Sequence, residues 1–212
     1  NRRVVVTGQV GVDKGPFIDE MARLAESRGD PVRVFHIGQM MYAEAPDVRR
    51  GRILDLPLAR LNALRRSVFK DVLAQIDTPE TVIINTHAAF RWKHGLFPAF
   101  DHDQMLDIDA DVYVTLVDNA DAVHERLMRE HDLPHTLKDI LVWREEEILA
   151  TEVLANAIRG HGHFFIYARG NQDAALISLY RLIFRPYMKR VYPSFPMTHV
   201  MDMPAVMAEI DA

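Results

Sequence analysis

The sequence predicts an α/β fold, a parallel sheet packed between layers of helices. Three observations carry this. Short runs of β-branched and aromatic residues recur along the chain, with the continuous apolar character of strands buried on both faces. Segments with apolar residues at helical spacing separate and follow these runs. The first run also stops at a glycine-containing turn that leads straight into a helix.

Val4-Val5-Val6-Thr7 is the first strand, ending at Gly8. A helix is expected from about Phe17 to Arg28, with Phe17, Met21, Leu24 and Ala25 on one face, and Gly29-Asp30-Pro31 stops it. Val32 to Ile37 is the second strand. From Leu58 to Ile76 the residues Leu58, Leu61, Leu64, Val68, Phe69, Val72, Leu73 and Ile76 keep helical spacing, until Thr78-Pro79. Val82-Ile83-Ile84 is the third strand, Asp111 to Val117 the fourth and Phe164 to Tyr167 the fifth. Helical patterns at Ala120–Glu130, Leu137–Arg159 and Gln172–Phe184 separate and follow these last strands.

The chain has 212 residues, enough for one large domain or a domain with an appendage. It is 49% hydrophobic and 26% charged, ordinary for a protein with a real core. A net charge of −5 supplies no overall basic field, so neither nucleic acid nor a membrane surface is an expected partner. There are no cysteines, which excludes disulfides, thiolate metal sites and a cysteine nucleophile, and fits a reducing, cytoplasmic compartment. No apolar run approaches the roughly 20 residues that a membrane span needs.

Between the first strand and its helix lies Gly8-Gln9-Val10-Gly11-Val12-Asp13-Lys14-Gly15. A phosphate-binding loop reads G-x-x-x-x-G-K-[ST] in this setting. Glycines let successive amides turn toward a phosphate, and the helix amino end adds partial positive charge. Gly8, Gly11, Val12, Asp13, Lys14 and Gly15 are therefore the expected nucleotide-binding residues, with Lys14 reaching the β and γ phosphates of ATP. Two positions depart from the rule. Asp13 replaces the glycine before the lysine, and Gly15 replaces the hydroxyl residue that would hold Mg²⁺. Matched strictly, the motif fits a plain glycine-containing strand–helix turn; with the strand, the spacing, the lysine and the rest of the chain, the expected class is a P-loop NTPase, a three-layer α/β sandwich.

From Val4 to Ile166 the chain resembles the archaeal-type adenylate kinases, a branch of the nucleoside monophosphate kinases. The likeness is carried by Val4-Val5-Val6-Thr7-Gly8 with Gly11 and Lys14, by Val34-Phe35-His36-Ile37-Gly38-Gln39-Met40-Met41, and by Leu56-Pro57. Val82-Ile83-Ile84-Asn85-Thr86-His87-Ala88 continued by Gly95-Leu96-Phe97-Pro98, then Asp109-Ala110-Asp111-Val112 and Glu125-Arg126-Leu127, complete it. The resemblance implies a five-stranded parallel sheet of order 2-3-1-4-5, a monophosphate site and a lid closing over ATP. It also marks a departure: Asn85 stands where that family has an aspartate near Mg²⁺. The family's monophosphate-contacting arginine before Leu-Pro has no clear match, with Arg52 and Arg60 only nearby.

Phosphoryl transfer needs positive charge, in-line geometry and little else from the protein. Lys14 supplies one charge. Arg126 and Arg129, three apart, are candidate catalytic clamps on one helix face, or solvated surface. Gly38, Arg52, His87 and Arg144 are candidate acceptor-side residues, Arg52 within the basic cluster Arg49-Arg50-Gly51-Arg52. His161 and His163, Asp101-His102-Asp103 and Glu145-Glu146-Glu147 read as turn, loop and solvated helix face, so no protein metal site is expected. The competing functional reading is a catalytically degraded P-loop module that senses a nucleotide or serves assembly. Residues 1–185 form the kinase-like domain. Residues 186–212, with a strand near Val191 and a helix from Met203 to Ile210, are either an extension packed on the sheet edge or on a second copy, or the start of a further α/β unit resembling nucleoside 2-deoxyribosyltransferase-like domains.

Overall fold

The computed structural model describes residues 1–131, 135–170 and 172–188. The strand expected near Val191 and the helix expected at Met203–Ile210 lie outside the described residues.

The first strand, β1 (Arg3–Thr7), occupies the middle of the sheet. It pairs in parallel with β3 (Thr81–Asn85) on one side and β6 (Val112–Val117) on the other. Outside these lie β2 (Val32–His36) and β7 (Phe164–Ala168), again parallel. The sheet order is β2-β3-β1-β6-β7, and β4 (Ala89–Trp92) with β5 (Gly95–Pro98) forms a separate antiparallel hairpin. With the hairpin set aside, this is the expected order 2-3-1-4-5. The hairpin had no sequence signal beyond the glycine and proline of its second arm.

Side chains alternate along β1, and the alternation builds the three layers. Val4 and Val6 face a core shared with Phe17, Ile18 and Met21 of α1 (Lys14–Ser27) and Leu179 and Ile183 of α7 (Gln172–Phe184). Val5 faces the opposite core, with Val68, Phe69 and Val72 of α3 (Leu58–Leu73), Met105 and Ile108 of α4 (His102–Ile108), and Leu154 and Ala155 of α6 (Leu137–Arg159). All three valines are fully buried, each worth roughly 1.5–3 kcal/mol. Two further helices, α2 (Ile37–Glu44) and α5 (Ala120–His131), follow β2 and β6. Helix α1 begins at Lys14, three residues before its expected start at Phe17, because the loop residues run directly into it. Among the described residues, no helix is long and apolar enough to cross a membrane.

The turn after β1 is close-packed, and its glycines are required. Gly8 has φ +147°, and a Cβ there would sit 2.6 Å from the Leu116 carbonyl oxygen. Gly11 has φ +88°, and its Cβ would meet Leu127 Cγ at 2.8 Å. Gly11→Ala combines a left-handed backbone with overpacking against α5. It is expected to cost about 1–3 kcal/mol, read as a lower urea midpoint at unchanged denaturant slope. An unchanged midpoint would mean that α5 yields freely at this contact.

Candidate functional site

The loop from Gly8 to Lys14 places the amino end of α1 at the carboxyl edge of the sheet, where open α/β folds bind ligands. Asp13 caps the helix in the left-handed conformation, φ 59° and ψ 53°, and makes no side-chain capping bond. Aspartate tolerates this conformation better than most residues, which explains how it replaces the usual glycine. The Lys14 and Gly15 amides have no intrahelical acceptor in this first turn. Pro16, the third helical residue, has no N–H to add.

Lys14 is only 7% exposed. Its ammonium donates to the Gly8 carbonyl at 2.7 Å and lies 3.2 Å from His87 Nε2. Burial lowers the Lys14 pKa from 10.5 to about 8, and the Glu147 charge opposes that fall. The His87 pKa is also lowered, first by burial and then by the Lys14 charge, so the ring is neutral at pH 7.

Glu147 was expected on a solvated face with Glu145 and Glu146. It is instead 1% exposed and sits under the loop. Ile140, Glu147 and Leu154 are seven residues apart, and all three are on the buried stripe of α6. That spacing was the available signal. Glu147 accepts from the Gly8 amide at 3.0 Å, the Ala88 amide at 2.9 Å and the Ala89 amide at 2.8 Å. Burial pushes its carboxyl up, but His87, Lys14 and the Ala88 amide outweigh burial and hold it below the usual value. One turn on, Thr151 donates to the Glu147 carbonyl at 2.8 Å and meets Thr7 Oγ1 at 2.7 Å.

A cleft of about 530 Å³ opens beside the loop. Its near wall is Asp13, Lys14, Gly15 and Asp19, and its floor is His36, Asn85 and His87 at the ends of β2 and β3. Gly38, Tyr42, Arg50, Leu61, Arg65 and Phe90 line the rest. On the floor, His36 Nε2 lies 2.8 Å from Asp19 Oδ1, and Asn85 Nδ2 lies 2.8 Å from His36 Nδ1. Both contacts are satisfied by the neutral tautomer with its proton on Nε2. Asn85 Oδ1 is buried without a hydrogen-bond partner. The Tyr42 hydroxyl accepts from the Gly51 and Ile53 amides at 2.8 and 3.2 Å and so shapes the loop across the cleft.

The structure therefore brings together Gly11, Asp13, Lys14, Gly15, Gly38 and His87. Gly8 and Gly11 form the turn, and the Val12 side chain is fully buried in the core. Arg126 flanks the loop from α5, donating to the Gly11 carbonyl at 2.7 Å and pairing with Asp118. Arg129 is exposed on α5 and does not line the cleft. Arg52 and Arg144 also lie outside its lining, with guanidinium groups paired to Asp55 at 3.4 Å and Glu145 at 2.9 Å. Sequence reasoning missed Glu147, the Asp19–His36–Asn85 chain and Arg65. It also missed Arg169, which donates to the Val12 and Asp13 carbonyls.

The lysine, the free helix amides and the open cleft fit a nucleotide's phosphates. A protein-held Mg²⁺ fits less well. Gly15 has no hydroxyl, and Asp19 and Asp118 are committed to His36 and Arg126. Among the described residues, no group of at least three acidic or histidine side chains is placed to hold a metal ion.

A family model described as an AAA domain matches residues 7–140. The chain is similar to shikimate kinase from Bacteroides thetaiotaomicron, with a TM-score of 0.54 and 14% identity over 85% of this chain and 97% of that one. It is similar to shikimate kinase from Acinetobacter baumannii in complex with shikimate, at 0.54 and 14% over 89% and 96%. A gluconokinase from Sinorhizobium meliloti 1021 matches at 0.49 and 15% over 88% and 95%. At these identities the likeness to the shikimate kinases shows the fold alone.

The depressed Lys14 pKa has two consequences of opposite sign. The ammonium is charged at pH 7 and is lost as pH rises through about 8. ATP affinity measured by calorimetry is therefore expected to fall roughly tenfold between pH 7 and pH 9, with a flat profile in Lys14→Ala. Stability moves the other way, because between about 8 and 10.5 the unfolded chain binds more protons at this site than the folded one. Unfolding free energy should rise with pH across that window, relative to Lys14→Ala. A pH-independent ATP affinity in the unmodified protein would contradict the assignment of Lys14 as the main charged contact.

Proposed function

The chain belongs to the AAA domain family of P-loop NTPases, and from that premise we propose that it binds ATP on the Gly8–Gly15 loop and transfers the γ-phosphoryl group to a nucleoside monophosphate. One observation carries this reading. A single cleft is lined both by Lys14 with the amino end of α1 and by two further cations, Arg50 and Arg65. A phosphotransferase needs both reactants in one space, with positive charge on the moving group and little water. In the transfer, the bond from the γ-phosphorus to the bridging oxygen of ADP breaks. A bond from that phosphorus to an acceptor phosphate oxygen forms. Lys14 offsets charge on the moving group, and the α1 amides orient the donor phosphates.

The adenylate kinase resemblance supports the acceptor class. ATP ordinarily arrives with Mg²⁺, held largely by its own phosphates and water. This chain's contribution to that ion would be the neutral Asn85 oxygen or the exposed Asp13 carboxylate. The expected partners are nucleotides, in a cytoplasmic setting, with a second copy or a further C-terminal domain as alternatives for association.

A second reading, a nucleotide-binding sensor or assembly module without catalysis, is favoured by Asp13, Gly15 and Asn85 together. A coupled assay with ATP and Mg²⁺ against ribo- and deoxynucleoside monophosphates separates the two. ADP release only with a monophosphate present supports transfer, and ATP binding with no turnover supports the sensor. A Cβ at Gly15 would meet nothing within 4 Å, so a threonine has room there. The double variant Gly15→Thr, Asn85→Asp is expected to raise Mg²⁺ affinity in the presence of ATP, and any turnover, by at least tenfold, the effect of a charge-assisted contact. Unchanged Mg²⁺ affinity with ATP still bound would remove the metal argument.

A further inference from the structure

Arg65 is the least expected cation of the cleft. It sits in the middle of α3, one turn after Leu61, and is 6% exposed. Its Nη1 donates to the Pro98 carbonyl at 2.9 Å and its Nη2 to Asn62 Oδ1 at 2.9 Å. Both acceptors are neutral. Its Nε is buried with no hydrogen-bond partner. The carboxylate with most influence on it, Asp101, is itself paired with Arg66 at 2.8 Å. A buried guanidinium that keeps its charge without a carboxylate is costly, and such groups ordinarily find an anion. The arginines nearest it in sequence are already satisfied at the surface, Arg60 by Asp47 at 2.7 Å and Arg66 by Asp101. Arg65 is left with unfilled donors and a place in the lining of the cleft.

We propose that Arg65 anchors the anionic group of the phosphoryl acceptor, and that this group is the 5′-phosphate of a nucleoside monophosphate. The proposal rests on the phosphotransferase reading above and names the residue that selects its second substrate. A planar guanidinium matches a phosphate's paired oxygens. Arg50 adds a second positive charge on the same cleft, while Ile53, Leu54 and Phe90 offer apolar surface for the base. The acceptor's phosphate then lies in the same space as the donor phosphates on Lys14, as transfer between two phosphates requires.

The test is calorimetry with AMP, GMP, CMP and UMP, each paired with its uncharged nucleoside, on the unmodified protein, Arg65→Met and Arg65→Lys. In the unmodified protein at least one monophosphate is expected to bind tenfold or more tightly than its nucleoside, the size of a charge-assisted contact. In Arg65→Met that advantage should collapse to within about twofold, and Arg65→Lys should restore part of it. Circular dichroism and a cooperative melt establish that the variants are folded. Should Arg65→Met not fold, Arg65→Lys and the phosphate-against-nucleoside comparison still decide. The proposal is overturned if no monophosphate binds, if nucleosides bind equally well, or if folded Arg65→Met keeps the advantage. A separate titration with a non-hydrolysable ATP analogue tests the underlying reading. Loss of that binding with the monophosphate preference intact would sink the phosphotransferase and leave Arg65 as an anion site.

Discussion

Glu147 carries a negative charge into the interior at the point where the phosphate loop leaves β1 and the chain leaves β3. Its carboxylate receives the Gly8 amide from one exit and the Ala88 and Ala89 amides from the other. A buried carboxylate is tolerated only when its lone pairs are filled and its charge is answered. Here the amides fill them, and Lys14 answers the charge. The same contact joins three elements that are far apart in sequence: the phosphate loop, the β3 exit and the long helix α6. Remove it and the buried Gly8 and Ala88 amides and the half-buried Ala89 amide lose their acceptor, while Lys14 loses the charge that resists its neutralisation.

That constraint also explains the posture of the loop. Lys14 is folded back onto the Gly8 carbonyl rather than extended along the cleft. Arg126, held by Asp118, fastens the Gly11 carbonyl, and Arg169 fastens those of Val12 and Asp13. With its carbonyls tied outward by arginines, the loop leaves the first amides of α1 as its donors toward the cleft. Arg126 thus acts on the loop's geometry at least as directly as it could act on a phosphate. A clamp already paired with Asp118 has less charge to lend.

What the sequence revealed followed from periodicity. The five strands and the long helices were legible because each buries a regular stripe or run, and β1 with its three valines is the clearest case. The hairpin was not. Phe97 is buried while Leu96 is exposed, but four-residue arms are too short for alternation to stand out. Helix spacing alone could have shown that Glu147 points inward with Ile140 and Leu154, yet a run of three glutamates looks like solvated surface. Arg65 was hidden for a related reason. It belongs to a basic helix whose neighbour Arg66 is ordinary exposed surface, and only the closure of Pro98 and Ala99 over α3 distinguishes the two. Arg52 attracted notice through its cluster, but its partner Asp55 is three residues away and claims it locally.

The chemical departures in the loop acquire a common meaning once the charges of the cleft are set side by side. Asp13, Asp19 and Lys14 line the cleft, and so do Arg50 and Arg65. A site that held a metal ion through its own residues would place its acids around one point. Here His36 takes Asp19, and Asn85 supplies a neutral oxygen where a carboxylate would add a further negative charge. With Asp13 and Asp19 lining the same cleft, Lys14 attracts a polyphosphate weakly unless cations accompany it. Arg65, buried and hydrogen-bonded only to neutral acceptors, attracts an anion strongly. Electrostatics therefore favours an anion at Arg65 over one at Lys14.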